Sequence, residues 1–453
     1  MTESMTSGSP IKLILKFSLP LLLGNLLQQM YNMIDAAIVG RVLGADALAG
    51  VGASSSVQFL VLGFCMGICA GFSIPVAKYF GAEQYERLRT CIFNAYLMTG
   101  AFAVLLTIPT ALFCRNILNI MATPANIYDD AYIYLLIIFL GIPFILFYNL
   151  LAGIMRAVGD SRTPFIFLMI SAFLNIFLDI MFIAVIRLGC AGAALATVIA
   201  QAVSGIACFI YIQKKYPLLR LKRQYCKFNF YAIKELFIMG IPMGLQYSIT
   251  AIGSMVMQSA NNGLGSSYVS GFTAASKIKQ LAMCPFDAIA TGVSVFTSQN
   301  LGAGKPERIR KGIFNGVAVG AGYGAVIGLV LIFFGRPLSL MFIKSSETAV
   351  LAASAQYLMC AGFFYWLLGI LNTTRMTIQG LGYSAVAIFS GVIEMIARIA
   401  VSKAFVPKFG FWAICFTDQA AWILATIYCS IVCEVCIRKV SKNHTKLQFN
   451  AAK

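Results

Sequence analysis

About twelve runs of predominantly apolar residues, separated by glycine, proline or charge, fill nearly the whole of this 453-residue chain. Each run is long enough to cross a bilayer, which takes roughly 20 such residues in a helix. With 60% of the residues hydrophobic and 11% charged, no soluble domain of useful size is left over. The opening "MTESMTSGSP" is polar and leads into "IKLILKFSLPLLLGNLLQQMYNMIDAAIVG". That run lacks a small-residue cleavage site and is too long for a signal peptide, so it reads as a retained first span. The expected fold class is an all-α polytopic membrane protein with twelve transmembrane helices.

The formal net charge of +18 would suggest a nucleic-acid partner in a soluble protein. Here the placement of the charge explains it. Lys214, Lys215, Arg220, Lys222, Arg223 and Lys227 crowd the long central connection, and Arg438, Lys439, Lys442 and Lys446 crowd the tail. By the positive-inside rule these segments lie in the cytoplasm, which gives an even number of spans with both termini cytoplasmic in the cell membrane. No nucleic-acid partner is expected. The 13 cysteines are scattered through the spans as small apolar residues. Cys433 and Cys436 form a lone CxxC that the single histidine, His444, cannot complete into a tetrahedral zinc site. No cofactor is expected.

The chain also repeats itself. "GAEQYERLRTCIFNA" from Gly81 and "GAGKPERIRKGIFNG" from Gly302 align at an offset of 221 residues, as do "LGADALAG" from Leu43 and "LGSSYVSG" from Leu264. Nearly the same offset pairs Pro20 with Pro242 and Gly159 with Gly382. The reading is a tandem duplication into two pseudo-symmetric six-helix bundles: an N-terminal lobe over residues 1–213, a basic linker over 214–234, a C-terminal lobe over 235–440 and a tail over 441–453. Six spans is an even number, so both copies insert the same way round and are related by an axis along the membrane normal. Two parallel bundles enclose a cleft near mid-bilayer, and rocking one against the other opens it to each side in turn, which is a transporter architecture. Glycines repeat every fourth residue at Gly63, Gly67 and Gly71 and again from Gly316 to Gly328, where neighbouring backbones can approach closely.

An ionisable group inside a span costs about 2.5–3.5 kcal/mol on insertion scales. The stretch "FLNIFLDI" nevertheless carries Asn175 and Asp179, which share one helix face at i and i+4. Asp35 in the first span and Thr197 in the sixth lie at a similar depth. Two carboxylates meeting out of water cannot both stay ionised and alone; one takes a proton or a cation sits between them. Carboxylate, amide and hydroxyl oxygens suit a hard cation such as sodium. Asp35, Asn175, Asp179 and Thr197 are therefore the candidate site for Na+ or H+, and the competing reading is that each merely bonds its own or a neighbouring helix. In the second half, Glu394 and Arg398 stand at i, i+4 and can neutralise each other. Asp287 follows Pro285, and Asp418 occupies the position equivalent to Thr197. Asp287, Asp418, Glu394 and Arg398 are candidate cavity residues, with helix-bonding roles left open. Lys277 and Lys279 are expected to snorkel outward, and Asp129 and Asp130 to form the acidic start of a helix.

The doubled plan, "SLPLLLGNLLQQMYNMIDAAIVG", "RAVGDSRTP", "NIFLD" and "SQNLGAGKPERIRKG" together resemble the multidrug and toxic compound extrusion (MATE) family over nearly the whole chain. The resemblance implies an antiporter that expels organic, often cationic, compounds in exchange for inward sodium or protons. It places Asp35, Asn175, Asp179 and Thr197 in the family's cation-binding cluster, Pro20 at the bend of the first helix, and Gln28 and Asn149 along the same cavity. Proline lacks the N–H that would continue the helix ladder, so a hinge at Pro20 is physically natural. The chain departs from several branches of the family at Thr250, where they carry an acid, so coupling is expected to rest on the first lobe. The expected partners are a small-molecule substrate and the lipid bilayer, with the protein a monomer. A lipid-linked precursor flippase is the alternative, with Lys277, Lys279 and Arg398 available for phosphate head groups. An embedded enzyme is disfavoured because no aspartate-rich metal motif or nucleophile–base arrangement is present, and direct ATP drive because no P-loop is.

Overall fold

The structure, a computed structural model, describes residues 4–121 and 123–451, without the side chains of residues 45 and 445–451. Part of the expected tail over 441–453 thus lies outside the described residues. Its helices are α1 (Pro10–Val42), α2 (Ala45–Gly81), α3 (Tyr85–Leu112), α4 (Cys114–Ile120), α5 (Tyr128–Leu140), α6 (Ile142–Ala157), α7 (Arg162–Asp179) and α8 (Cys190–Lys215). After the central connection follow α9 (Phe230–Asn262), α10 (Ser266–Gly302), α11 (Pro306–Ser339), α12 (Thr348–Gly362), α13 (Tyr365–Gly380), α14 (Ser384–Ala404), α15 (Val406–Phe409) and α16 (Phe411–Ala451). The described residues contain no strand. Among the described residues, ten helices are long and apolar enough to cross a membrane singly. Two further spans are broken: α5 bends into α6 by 48°, and α12 into α13 by 55°. Twelve spans in two copies of six follow, and the fold is all-α.

The residues pack into two compact units. The first is built on Leu23–Gly244, and the second on Met5–Leu22 with Leu245–Lys453. The division falls inside α1 and α9, two residues beyond the repeat-related Pro20 and Pro242. Up to Leu22, α1 packs in the second unit, where Gly292 of α10 lies against Ile14 and Ser18. From Leu23 it packs in the first, where Gly24 lies against Phe165 and Leu168 of α7. In α9 the order is reversed. Its early glycines, Gly240 and Gly244, lie against Gly71 and Gly67 of α2, so close that a Cβ on Gly67 would stand 2.6 Å from the Met243 carbonyl oxygen. This is the small-residue packing that brings backbones together where apolar burial alone gives no drive.

Inside the second unit the same device joins α11 to α13. A Cβ at Gly324 would stand 2.6 Å from both the Tyr365 carbonyl oxygen and the Trp366 Cα. The repeated "GAE" and "GAG" sequences form equivalent tight turns into α3 and α11, with Glu83 and Gly304 both left-handed at φ 57° and 65°. The "RAVGDSRTP" motif is a helix start. Asp160 accepts the backbone N–H groups of Arg162 and Thr163, each at 3.0 Å, as well as the Thr163 hydroxyl at 2.7 Å and the Tyr216 hydroxyl. These bonds satisfy donors that α7 leaves free at its first turn. Asp129 and Asp130 fall in the first turn of α5, as the sequence suggests.

Candidate ion site and a buried charge network

In the first unit, the alternation along "FLNIFLDI" sorts by environment. Phe173 and Phe177 are 63% and 62% exposed on the outer face of α7, while Asn175 and Asp179 are 2% and 0% exposed on the inner one. At Asp179 the helix passes directly into a π-helical turn, Ile180–Val185, a local widening that frequently accompanies functional positions. Asp35, half-buried on α1, meets Asp179 there, their carboxyl groups within hydrogen-bonding reach of each other. Two carboxyl groups this close share a proton or flank a cation.

Asn175 and Thr197 complete the group. The Asn175 amide nitrogen lies 3.3 Å from the Thr197 hydroxyl. With the amide turned over, it donates instead to Asp179 Oδ2 at 3.3 Å, and its oxygen accepts from the Thr197 backbone N–H at 3.3 Å. Either way Asn175 ties α7 to α8 beside the acids. Asp35 Oδ1 and Asp179 Oδ1 are buried without a hydrogen-bond donor. These two oxygens, with the Thr197 hydroxyl and the second lone pair of the amide oxygen, are the donor chemistry a hard cation takes.

Three residues that the sequence reading passed over also belong here. Tyr31 lies one turn before Asp35 on α1, and Tyr134 of α5 stands within electrostatic reach of both acids. The Tyr31 hydroxyl bonds Gln28, and the Tyr134 hydroxyl bonds Gln58 of α2. Gln28 is thus brought to the edge of the cluster. The i−4 spacing to Asp35 is a signal that could have found Tyr31; Tyr134 and Gln58 have none within their own helices. Asn149 donates to Ile145 O of its own helix at 2.8 Å, and among the described residues no hydrogen bond joins it to the acids. Pro20 lies within the continuous α1, in the part that packs in the second unit.

In the second unit the largely buried charges Lys279, Arg375, Glu394, Arg398 and Asp418 are paired with one another. Asp418 of α16 accepts from Lys279 Nζ and the Tyr357 hydroxyl at 2.6 Å each, and from Arg398 Nε at 2.9 Å. Arg398 also pairs with Glu394 at 3.3 Å, and Glu394 with Arg375. Glu394, Arg398 and Asp418 are all buried. The expected i, i+4 pair is present, and it extends into a network across α10, α12, α13, α14 and α16. Lys279 departs from the snorkelling expected of it. A buried carboxylate within reach holds the ammonium more effectively than the distant interface, and its side chain is only 15% exposed. Lys277, one residue pair earlier on α10, is exposed. Asp287 is exposed on α10, with Arg375 as its electrostatic neighbour.

A doubled set of six spans, each copy containing one broken span, defines the class: a multi-pass membrane transporter. Residues 20–181 and 242–402 match the MatE family, one copy in each repeat. The chain is 30% identical over 415 residues to the probable multidrug resistance protein YpnP of Bacillus subtilis, covering 90% of both chains. It is 28% identical to the probable multidrug resistance protein YoeA of the same organism, over 84% of this chain and 83% of the relative. Its fold matches an outward-facing multidrug resistance MATE family transporter of the MOP superfamily with a TM-score of 0.91 at 21% identity, over 96% of this chain and 98% of that one. The chain belongs to the MatE family of multidrug efflux transporters, whose members are transporters and not enzymes.

Proposed function

We propose that the protein is a secondary active antiporter of the cell membrane, exporting organic, cationic and amphipathic compounds in exchange for inward Na+ or H+. The observation that carries this reading is the meeting of Asp35 and Asp179, from two different helices, with Asp179 fully buried. A cation or proton entering from the outer side offsets one negative charge of the pair and so changes the charge beside α1. Because α1 packs in one unit up to Leu22 and in the other from Leu23, a change at Asp35 acts on a helix that both units hold, with Pro20 as the hinge. No cofactor is needed, since the ion gradient supplies the drive. Exchange of one cation for a singly charged substrate moves no net charge, so the ion's concentration gradient is the drive, each tenfold difference contributing about 1.4 kcal/mol; a neutral substrate would gain about 2.3 kcal/mol per 100 mV besides. The positive-inside bias supports cytoplasmic termini, and the monomer is the working unit. Of the three cations that a flippase would offer to phosphate, Lys279 and Arg398 are committed to Asp418 and Glu394 and Lys277 alone is left exposed, which favours the antiporter.

The test is ethidium export by proteoliposomes given first a sodium gradient and then a pH gradient. The wild type should respond to one of them, and Asp35→Asn and Asp179→Asn should each abolish that response while inserting normally. Undiminished export by both variants would rule out the coupling scheme.

A further inference from the structure

The two repeats can be put in register helix by helix. Along α2 and α10 the offset is 221 residues, fixed by Leu43 with Leu264 and Gly81 with Gly302. The same offset relates α8 to α16, which follow Gly189 and Gly410, both left-handed at φ 62° and 56°. For α7 and α14 the offset is 223, from Gly159 and Gly382. Packing fixes α5 and α12 at that second offset. Gly50 lies against Ile127 O, Asp130 Cβ and Ala131 N, and Gly271 against Val350 O, Ala353 Cβ and Ser354 N.

In these registers the ion cluster of the first unit and the charge network of the second occupy the same place in the repeat. Gln58 corresponds to Lys279, Tyr134 to Tyr357, Asn175 to Arg398 and Thr197 to Asp418. The contacts correspond as well. The bond between Gln58 and the Tyr134 hydroxyl becomes that from Lys279 Nζ to the Tyr357 hydroxyl, 2.9 Å. The Asn175 to Thr197 contact becomes that from Arg398 Nε to Asp418 Oδ1. Asp179 corresponds to Ser402, and at the offset of Pro20 and Pro242 Asp35 corresponds to Met257. Two neutral side chains have become cations, the positions of Asp35 and Asp179 hold the neutral Met257 and Ser402, and an acid new to the repeat, Asp418, lies between the two cations. Room for the larger side chain comes from Gly253, which stands at the Tyr31 position and against which Arg398 packs.

We propose that the second unit keeps the repeat's cation site in a permanently filled form, in which the Lys279 ammonium and the Arg398 guanidinium stand where the first unit admits an exchangeable ion. The protein then couples export to one ion per cycle, bound in the first unit. The proposal rests on the reading of the Asp35 cluster as an ion site. A covalently attached cation cannot leave, so Asp418 holds its partners through the cycle.

The test counts ions bound by the purified full-length transporter, using 22Na+ binding and, in parallel, proton uptake on acid titration. The wild type should hold one ion that Asp35→Asn removes. Lys279→Gln combined with Arg398→Asn restores the first unit's residues around Asp418. That variant should hold one ion more than the wild type, and should keep it when Asp35→Asn is added. Lys279→Arg, which retains a tethered cation, should bind like the wild type. A folded double variant that gains no ion overturns the proposal, and so does a wild type that holds two ions and loses only one on Asp35→Asn. That second comparison needs neither position 279 nor 398 altered, so it decides the matter even if the double variant fails to fold. A wild type whose ion count is untouched by both Asp35→Asn and Asp179→Asn would instead refute the ion-site reading of the first unit.

Discussion

Asp418→Ala should be far more costly than its single-residue size suggests. The carboxylate receives three donors, Lys279 and Tyr357 at 2.6 Å and Arg398 at 2.9 Å. The Asp418 and Arg398 side chains are only 2% and 6% exposed. Each donor left unpaired out of water costs about 1–3 kcal/mol, and breaking a buried ion pair by removing one partner costs about 3–5 kcal/mol. The two figures describe overlapping losses, so the expected destabilisation is about 3–5 kcal/mol. Glu434, on the same helix, is the control. It also pairs two cations, Arg310 at 2.9 Å and Arg438 at 2.7 Å, but those side chains are 66% and 72% exposed and its own is 38% exposed. Solvent screening leaves such pairs about 0–1 kcal/mol. Equilibrium unfolding of the purified variants in mixed micelles by a denaturing detergent, followed by tryptophan fluorescence, should separate Asp418→Ala from Glu434→Ala by several kcal/mol. Equal losses would refute the premise that burial, and not the number of ion pairs, sets the cost.

Two further substitutions probe the scaffold by the same unfolding assay. Asp160→Ala removes the cap of α7 and the partner of the Tyr216 hydroxyl, and should cost about 1–2 kcal/mol, with Asp160→Asn recovering part of it. Gly324→Ala places a Cβ 2.6 Å from the Tyr365 carbonyl oxygen. The overpacking should cost about 1–3 kcal/mol, whereas alanine at Gly322, where nothing lies within 4 Å, should be tolerated.

Much of the architecture is legible in the sequence because the bilayer imposes few choices. Span length marks the helices, and the Glu-Arg-x-Arg repeats mark the duplication. Asn175, Asp179 and Asp35 stand out because polar groups inside spans are expensive wherever they occur. What hydropathy does not separate is protein-facing from lipid-facing residues, since both surfaces are apolar. Phe173 is 63% exposed, while Phe139 of α5 is fully buried, yet composition treats them alike. Tyr134 and Gln58 are hidden for a related reason. Each is an ordinary residue on its own helix, and only the packing of α2 and α5 against the acids gives it a role. The partner of Lys279 lies 139 residues away on α16, so the chain's local pattern favours snorkelling although the fold provides a carboxylate. The passage of α1 from one unit to the other beyond Leu22 leaves no mark in the periodicity, because proline at position 20 reads equally well as a tolerated kink.

The central claim is that the Asp35 and Asp179 carboxyl groups jointly hold the coupling ion. Infrared difference spectroscopy of the purified protein, recorded on addition of sodium and separately on acidification, reads carboxyl groups directly. One of these triggers should produce a carboxyl difference band in the wild type and in Glu434→Ala, and the band should vanish in both Asp35→Asn and Asp179→Asn. A band that persists unchanged in both aspartate variants would place the coupling ion elsewhere.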